Sequence, residues 1–331
     1  MKARKLYIVV PCYNEEAVLP ETTKRLTALT DRMISDGLIT TDSRILYVDD
    51  GSKDKTWTLI EQYHQADSRF EGVKLAANAG HQNALMAGLD IARRQGDIMV
   101  SVDADLQDDI DMIAEMVRLY DEGYDIVYGV RRKRTTDTFF KRTTAIAFYR
   151  LMRQLGVKSV YNHADYRLMS RRAVDQLCNY RERNLFLRGI VPLIGYRSTC
   201  VYYDRTERFA GESKYPLGKM VSFAVDGITS FSIRPLHLLF HTGLVFILIA
   251  VLIFIYVIYR YVTDDVVPGW SSIILSIWFV GGCILVGLGV VGEYIGKIYI
   301  EVKDRPRYNI EETLVDCELP TAKSEQPLAN S

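Results

Sequence analysis

Three polar clusters, each following a short apolar run, hold the residues best suited to chemistry. They are Pro11-Cys-Tyr13-Asn14-Glu15, Asp49-Asp50-Gly51-Ser52-Lys53-Asp54-Lys55-Thr56 and Asp103-Ala104-Asp105-Leu106-Gln107-Asp108-Asp109. A single Asp-x-Asp is weak evidence, because acidic residues often cap a following helix. Three acidic clusters meeting at one place mean more. Carboxylates crowded into one crevice repel one another and raise each other's pKa unless a cation is present. A hard divalent ion relieves that repulsion, taking one or two carboxylates together with substrate phosphates. The pattern points to a phosphate-bearing ligand bridged by Mg²⁺ or Mn²⁺. Other carboxylates, such as Asp50 or Glu15, suit hydrogen bonds from a nucleobase or from ribose hydroxyls. No Gly-x-x-x-x-Gly-Lys-Ser/Thr loop occurs, which disfavours a P-loop nucleotidase.

The elements that must position these clusters are short apolar runs alternating with amphipathic stretches. Candidate strands are Leu6–Val10, Arg44–Val48, Gly72–Leu75, Asp97–Val102 and Asp125–Tyr128, with helical patterns over Glu15–Met33, Lys55–Gln65 and His81–Arg94. Within the first helix, Val18, Thr22, Leu26, Leu29 and Met33 recur at helical spacing and mark a buried stripe. Strands alternating with helices predict an α/β domain with a mostly parallel sheet. Ligands of such sheets bind beyond the carboxyl ends of the strands, where the clusters fall.

After Pro235 the chain changes character. Leu238–Tyr259 and Gly269–Gly292 contain no charged residue. As helices rising about 1.5 Å per residue, each is long enough for a ~30 Å hydrocarbon core. Arg260, Asp264 and Asp265 stand in the connecting loop, whereas Lys214, Lys219 and Arg234 precede the first span and Lys297, Lys303, Arg305 and Arg307 follow the second. The positive-inside tendency places both flanks in the cytoplasm and the loop outside. Pro268–Gly269 suits a turn, and Tyr256, Tyr259, Tyr261 and Trp270 suit an aromatic belt. Gly287-Leu-Gly289-Val-Val-Gly292 matches a dinucleotide fingerprint literally but lies inside an apolar span with no strand before it, so it fails the context test. Gly292 and Gly296 form a small-xxx-small pair able to pack helices or subunits of a homo-oligomer. The tail from Thr313 to Ser331 is polar and aperiodic and reads as disordered.

Composition narrows the function classes. The 331 residues carry 41 basic and 41 acidic side chains, so nothing supports a nucleic-acid partner. Five scattered cysteines form neither a disulfide framework nor a zinc site and fit a reducing compartment. The apolar run after the charged Met1–Lys5 is too short for a signal peptide, which keeps the N-terminal domain cytoplasmic.

With these motifs in order, the chain resembles family-2 glycosyltransferases of GT-A fold. The subgroup is that of dolichol-phosphate mannose synthases and bacterial polyprenyl-phosphate glycosyltransferases, including undecaprenyl-phosphate glucosyltransferases. The residues carrying the resemblance are Val10-Pro-Cys-Tyr-Asn-Glu15, Val48-Asp-Asp-Gly-Ser-Lys-Asp-Lys-Thr56, Asn78-Ala-Gly-His-Gln-Asn-Ala84, Asp103-Ala-Asp-Leu-Gln-Asp108, Asp165-Tyr-Arg-Leu-Met-Ser-Arg171 and Arg208-Phe-Ala-Gly-Glu-Ser-Lys-Tyr215. It spans roughly Leu6 to Arg307, and it implies a Rossmann-like GT-A domain followed by a two-helix transmembrane hairpin. The corresponding organisation is a catalytic domain over 1–212, an interfacial amphipathic segment over 213–235, transmembrane helices over 236–262 and 270–296 joined by an external loop at 263–269, and a cytoplasmic segment and tail over 297–331.

The resemblance also implies roles. Asp103, Asp105 and Gln107 would hold the metal and the donor diphosphate. Pro11, Tyr13, Glu15 and Asp50 would cradle the base and ribose, with Asp49 beside them. Arg131, Arg208 and Lys214 would bind the acceptor phosphate or the donor diphosphate, and Asp165 and Arg167 would share that cavity. The catalytic set is Asp105, Asp165, Arg131, Arg208 and Lys214. The chain departs from the subgroup at Ala76-Ala77, where Ser-Arg is frequent, and at Asp108-Asp-Ile-Asp111, where paired prolines are common. No Gln-x-x-Arg-Trp motif occurs, which argues against a processive polysaccharide synthase.

The implied reaction transfers a hexose, foremost glucose from UDP-glucose, to a polyprenyl phosphate at the cytoplasmic membrane face. UDP-GlcNAc, an amino-arabinose donor and GDP-mannose are the alternative donors. A lipid phosphate with its last pKa near ~6 is already ionised at neutral pH and needs no strong base. The protein must instead overcome repulsion between two anions, for which Arg131, Arg132, Lys133, Arg134, Lys141 and Arg142 are placed. Leu217–Ile233 reads as an interfacial helix that could groove the lipid. His81 could touch donor phosphate, although it and His163 read as structural. Alternatives are transfer to another membrane lipid such as a diacylglycerol, a non-catalytic nucleotide-sugar-binding partner of a flippase, and a sugar nucleotidyltransferase.

Overall fold

The computed structural model describes residues 3–105, 107–131, 163–183, 185–204, 234–262 and 269–315. The apolar run at the start becomes β1 (Leu6–Cys12), buried along its whole length. Its residues alternate between two cores. Leu6, Ile8, Val10 and Cys12 face one cluster, while Tyr7 and Val9 face the other. A strand covered on both faces is what a near-continuous apolar run predicts.

The chain continues through α1 (Leu19–Ser35), β2 (Arg44–Asp49), α2 (Thr56–Ala66), β3 (Phe70–Leu75), α3 (His81–Ala92), β4 (Ile98–Ser101), α4 (Met112–Asp121) and β5 (Ile126–Arg131). The stripe Val18, Thr22, Leu26, Leu29 and Met33 is buried as its spacing predicts. After β6 (His163–Ser170) come α5 (Arg171–Cys178), the short α6 (Leu187–Ile190) with a 3-10 turn, and β7 (Ser198–Tyr203). Helices α1, α2 and α4 cover one face of the sheet, and α3, α5 and α6 cover the other.

The sheet order is β7-β5-β6-β4-β1-β2-β3-β8. β4, β1, β2 and β3 pair in parallel, as do β5 and β7. β6 runs antiparallel to both β4 and β5, and β8 (Ile310–Leu314) runs antiparallel to β3. The sheet is therefore mixed, with the expected parallel block at its centre.

β8 is the largest departure from the sequence reading. Thr313 and Leu314, read as the start of a disordered tail, pair with Val73 and Gly72. Its exposed Ile310, Glu311 and Glu312 suit a charged edge strand, which hides its strand character in the sequence. Residues 316–331 lie outside the described residues, as do the interfacial segment Leu217–Ile233 and the loop 263–268.

Between β7 and β8 stand two long helices, α7 (Arg234–Val262) and α8 (Trp270–Val302). They touch through the edge-to-face pair Phe246–Phe279, with ring centroids 5.9 Å apart. Leu238, Leu252, Leu285 and Leu288 are among many large apolar side chains that both helices expose. Among the described residues, one stretch, Phe279–Val302, is long and apolar enough to cross a membrane, and none of it is buried.

Gly88 shows how closely α3 lies on the sheet. A Cβ there would stand 2.4 Å from Val9 Cγ1 and 2.7 Å from Val48 Cγ2. Helix propensity favours Ala over Gly by only ~1 kcal/mol, whereas overpacking a core costs typically ~1–3 kcal/mol. Gly88→Ala should thus lower the thermal unfolding midpoint of the purified protein; a raised midpoint would show that β1 and β2 can give way.

Candidate active site at the carboxyl ends of the strands

The loops that leave β1, β2 and β3 are laced together by local hydrogen bonds. Asn14, at φ 56°, offers its side-chain oxygen to the Lys53 N–H at 2.8 Å, and its own N–H donates to Ser52 Oγ at 2.9 Å. Asn tolerates this left-handed backbone better than most residues. The Glu15 N–H donates to Thr56 Oγ1 at 2.9 Å. Asp50 reaches the third loop, its two oxygens accepting the Ala79 and Gly80 N–H groups at 2.7 and 3.0 Å. Gly51 permits that approach, because a Cβ there would lie 2.8 Å from Asn78 N.

This lacing frames a cavity of about 1050 Å³. Of the residues singled out in the sequence, Pro11, Tyr13, Glu15, Asp50, Asp103, Asp105 and Asp165 line it. Asp49 does not. It is fully buried behind Asp50, one oxygen accepting the Ser52 N–H at 3.3 Å and the other without a hydrogen-bond partner among the described residues. Burial raises its carboxyl pKa, as it does that of Asp50, where the two backbone donors pull the other way.

Gln107 is also away from the cavity lining. Its side chain is buried, and its N–H donates to Asp105 Oδ1 at 3.3 Å. Arg131 points its guanidinium at Asp108, with contacts of 3.1 and 2.8 Å to Oδ1. The Tyr203 hydroxyl donates to the same oxygen at 2.6 Å. This buried cluster gives a structural reason for the acid at position 108. Arg208, Lys214, Arg132, Lys133, Arg134, Lys141 and Arg142 lie outside the described residues.

Asp165 is held by two cations. Arg167, almost wholly buried, donates to Oδ1 at 2.6 Å, and Arg188 donates to Oδ2 at 3.0 Å. Burial pushes this carboxyl up, but the Arg188 and Arg167 guanidiniums outweigh it and hold it well below the usual carboxylate range. Asp103 sits in the opposite situation. Burial raises its pKa, the nearby His81 lowers it, and the charges of Asp165, Asp108 and Asp105 raise it again, to about 6.

Among the described residues no three His, Cys, Asp or Glu side chains are grouped to hold an ion. The chemistry of Asp103 and Asp105 nevertheless fits a hard divalent cation: two oxygen donors open to one cavity, one of them raised in pKa partly by neighbouring acids. Such an ion commonly takes one or two protein carboxylates and completes its shell from substrate phosphate and water.

Several cavity residues were not singled out as site residues. His81 Nε2 stands 3.5 Å from Asp103 Oδ1, and Gln82 accepts the Leu187 N–H at 2.7 Å. Asn78, Phe186 and Arg188 complete the wall. The only sequence signal for Arg188 is a lone cation inside Leu185-Phe-Leu-Arg-Gly-Ile190, which needs an anionic partner if it packs inward. The preceding loop also meets the end of α8. The Arg183 N–H donates to Glu301 Oε1 at 2.7 Å, its guanidinium pairs with Asp304, and Arg307 donates to the Tyr180 carbonyl.

An α/β sheet with an acidic cavity beyond its parallel strands matches the sequence comparison, in which residues 7–178 fit the model for glycosyl transferase family 2. The chain belongs to that family. It is 53% identical over 314 residues to "Uncharacterized glycosyltransferase YkoT" of Bacillus subtilis, covering 95% of this chain and 93% of the relative. It is 38% identical over 314 residues to "SfII prophage-derived bactoprenol glucosyl transferase" of Shigella flexneri, covering 93% of this chain and 98% of the relative. The S. aureus TarS 1-349 structure in complex with UDP aligns with 68% of this chain and 64% of its own at TM-score 0.44 and 16% identity, too remote a likeness to bear on ligands.

Asp50→Ala would leave two loop N–H groups without their acceptor, at a cost of about 1–3 kcal/mol for each one that stays buried and unsatisfied. The expected result is a lower unfolding midpoint and faster proteolysis within the 76–80 loop. An unchanged cleavage pattern would show that Asp50 does not hold the loop.

Proposed function

We propose that this protein transfers a hexose, glucose from UDP-glucose, to a polyprenyl phosphate at the cytoplasmic membrane face, giving a polyprenyl-phosphate sugar for modification of cell-envelope glycans. The observation that carries the reading is the opening of Asp103 and Asp105 into a strand-end cavity in a chain 38% identical, over nearly its whole length, to proteins named bactoprenol glucosyl transferase. The catalytic domain is a GT-A fold, tethered by a two-helix transmembrane hairpin formed by α7 and α8.

Chain topology supports the tether. The sheet contains β7 before the two long helices and β8 after them. Both ends of the apolar region therefore return to one sheet, so the number of bilayer crossings is even. Phe279–Val302 alone is apolar enough to cross by length and composition among the described residues, and a crossing by α8 requires one by α7. The exposed apolar side chains of α7 agree with that. A Cβ at Gly292 or Gly296 would meet nothing within 4 Å beyond its own helix, which leaves a face for a second copy, and a flippase is the partner that would carry the lipid-linked product outward.

In this reading Pro11, Tyr13, Glu15 and Asp50 hold the base and ribose, with Tyr13 half-exposed at the cavity mouth and Asp49 bracing the loop behind. Asp103 and Asp105 would hold a divalent cation, with Gln107, whose side chain is buried outside the cavity lining, as the proposed third ligand. When bound, that ion supplies Lewis acidity at the leaving diphosphate. An acceptor phosphate oxygen attacks the anomeric carbon, the bond from that carbon to the diphosphate breaks, and the electron pair leaves with UDP. Arg208 and Lys214 would offset the repulsion between the two anionic reactants, while Arg131, paired with Asp108, stands outside the cavity lining and would act only at longer range.

The test is UDP release with polyprenyl phosphate and metal across a panel of nucleotide sugars. UDP-glucose should give the highest kcat/KM, and absence of release with every donor and polyprenyl acceptor would sink the reading. Asp105→Ala should remove turnover while leaving the protein in the membrane fraction; retained turnover would reject the metal assignment.

A second prediction concerns pH. Because the metal-free Asp103 carboxyl titrates at about 6, ion binding must displace a proton below that value but not above it. Metal affinity measured by calorimetry should be flat above about pH 7 and weaken roughly tenfold per unit below about pH 6. An affinity unchanged down to about pH 5 would place the ion elsewhere.

A further inference from the structure

Of the described residues lining the cavity, five are carboxylates (Glu15, Asp50, Asp103, Asp105 and Asp165) and two, Arg188 and His81, are basic. Arg188 keeps about a third of its side chain exposed, while its Nη2 and Nε donate to the Asp165 oxygens at 3.0 and 3.4 Å. Asp165 in turn is only 14% exposed, and Arg167 takes its Oδ1 at 2.6 Å from behind. Arg167 is also within 3.5 Å of the Leu187 carbonyl, so it grips the backbone that carries Arg188. Gln82 takes the Leu187 N–H from the other side.

Both oxygens of Asp165 are thus engaged by guanidiniums, which leaves it poorly placed to accept a proton. A carboxylate clamped in this way fixes the direction of its partner. The two residues lie on the wall shared with Asp103 and Asp105, the carboxylates that would hold the cation and with it the donor diphosphate.

We infer that Arg188 is a donor-binding cation that meets the UDP diphosphate beside the metal, and that Asp165 is a positioning residue acting through it. The inference rests on the nucleotide-sugar reading above and deepens it. Negative charge that accumulates on the departing diphosphate finds a preorganised guanidinium, already desolvated on one side by Asp165 and Arg167. The fork shape of arginine matters, because Nε and Nη2 together are committed to Asp165 and so fix the orientation of a side chain that lines the cavity.

The experiment uses the full-length protein in detergent with Mn²⁺, titrated separately with UDP and with uridine. Arg188→Gln should weaken UDP binding about ten- to hundred-fold, the range expected for a lost charge-assisted contact. Uridine binding should stay within about twofold, because uridine lacks the diphosphate. Arg188→Lys should recover part of the loss. Asp165→Asn should weaken UDP binding in the same direction and leave the acid limb of the pH–rate profile where it was. An Arg188→Gln protein that binds UDP normally overturns the inference, and so does a rise in KM for polyprenyl phosphate alone, which would put Arg188 on the acceptor. Asp165→Asn with intact UDP affinity and abolished turnover would mark Asp165 as a base and overturn it as well. Thermal unfolding of each variant, and of the charge-removing pair Arg188→Gln with Asp165→Asn, separates loss of binding from loss of fold. If the wild-type chain binds neither UDP nor another nucleoside diphosphate with metal, the nucleotide-sugar reading fails first. Normal wild-type binding with an indifferent Arg188→Gln sinks only the present inference.

Discussion

The constraint that organises this structure is the crowding of carboxylates at one edge of a buried sheet. Each must be compensated, and the means differ from residue to residue. Asp50 accepts two backbone N–H groups. Asp108 takes Arg131 and the Tyr203 hydroxyl. Asp165 takes two guanidiniums. Those contacts fix the loops and side chains around the cavity. The pKa of Asp103 is raised to about 6, first by burial and then by the charges of Asp165, Asp108 and Asp105, against the lowering effect of His81 at 3.5 Å. The under-compensated one is where an incoming cation gains most, because binding there replaces repulsion with attraction.

Sheet topology decides which side chains join that edge. The rule that polar residues follow the strands holds for β1, β2 and β4, which run in one direction. It reverses for β6. An antiparallel strand begins where its parallel neighbours end, so Asp165 enters the site from the start of β6, with Arg167 buried behind it. The pairing of Ser101 with Arg167 places them beside the exit of β4, two residues from Asp103 in the chain. A scan for polar residues after apolar runs passes over this position, and only the resemblance of the Asp165–Arg171 stretch to known sequences pointed to it.

Much of the fold was legible because its signals are local. The five strands read from the sequence lie within a few residues of their observed ends, and every residue of the stripe read along α1 is buried, though Leu19, Thr23 and Thr30 join it. What escaped depends on distant partners. β8 is short and acidic, and becomes a strand only because β3 offers it an edge. The resemblance gives Arg131 a phosphate-binding role, and nothing local in the sequence shows that its guanidinium is also engaged by Asp108, 23 positions earlier in the chain. Arg188 carries no motif of its own. Its importance comes from Asp165, another 23 positions away, and from a loop fold that propensity does not reveal. Residue type and spacing thus identified the acids of the site but not what neutralises them.

The same long-range ties relate the cavity to the long helices. β8 fastens the chain to the sheet eight residues after α8 ends, and the end of α8 is fastened again to the loop before α6. Glu301, Asp304 and Arg307 reach Arg183 and Tyr180, while Arg188, a few residues on, reaches Asp165. One loop is therefore anchored at its start to the last turn of α8 and at its end to the cavity wall. A water-soluble donor and a bilayer-bound acceptor meet most often when the pocket is held at a fixed distance from the headgroup plane. A flexible linker would spread that distance over many ångströms, and effective concentration falls steeply when a tether cannot hold its span. On the proposed function, these polar contacts at the end of α8 do the work of a spacer, fixing the depth at which the cavity sits relative to the membrane.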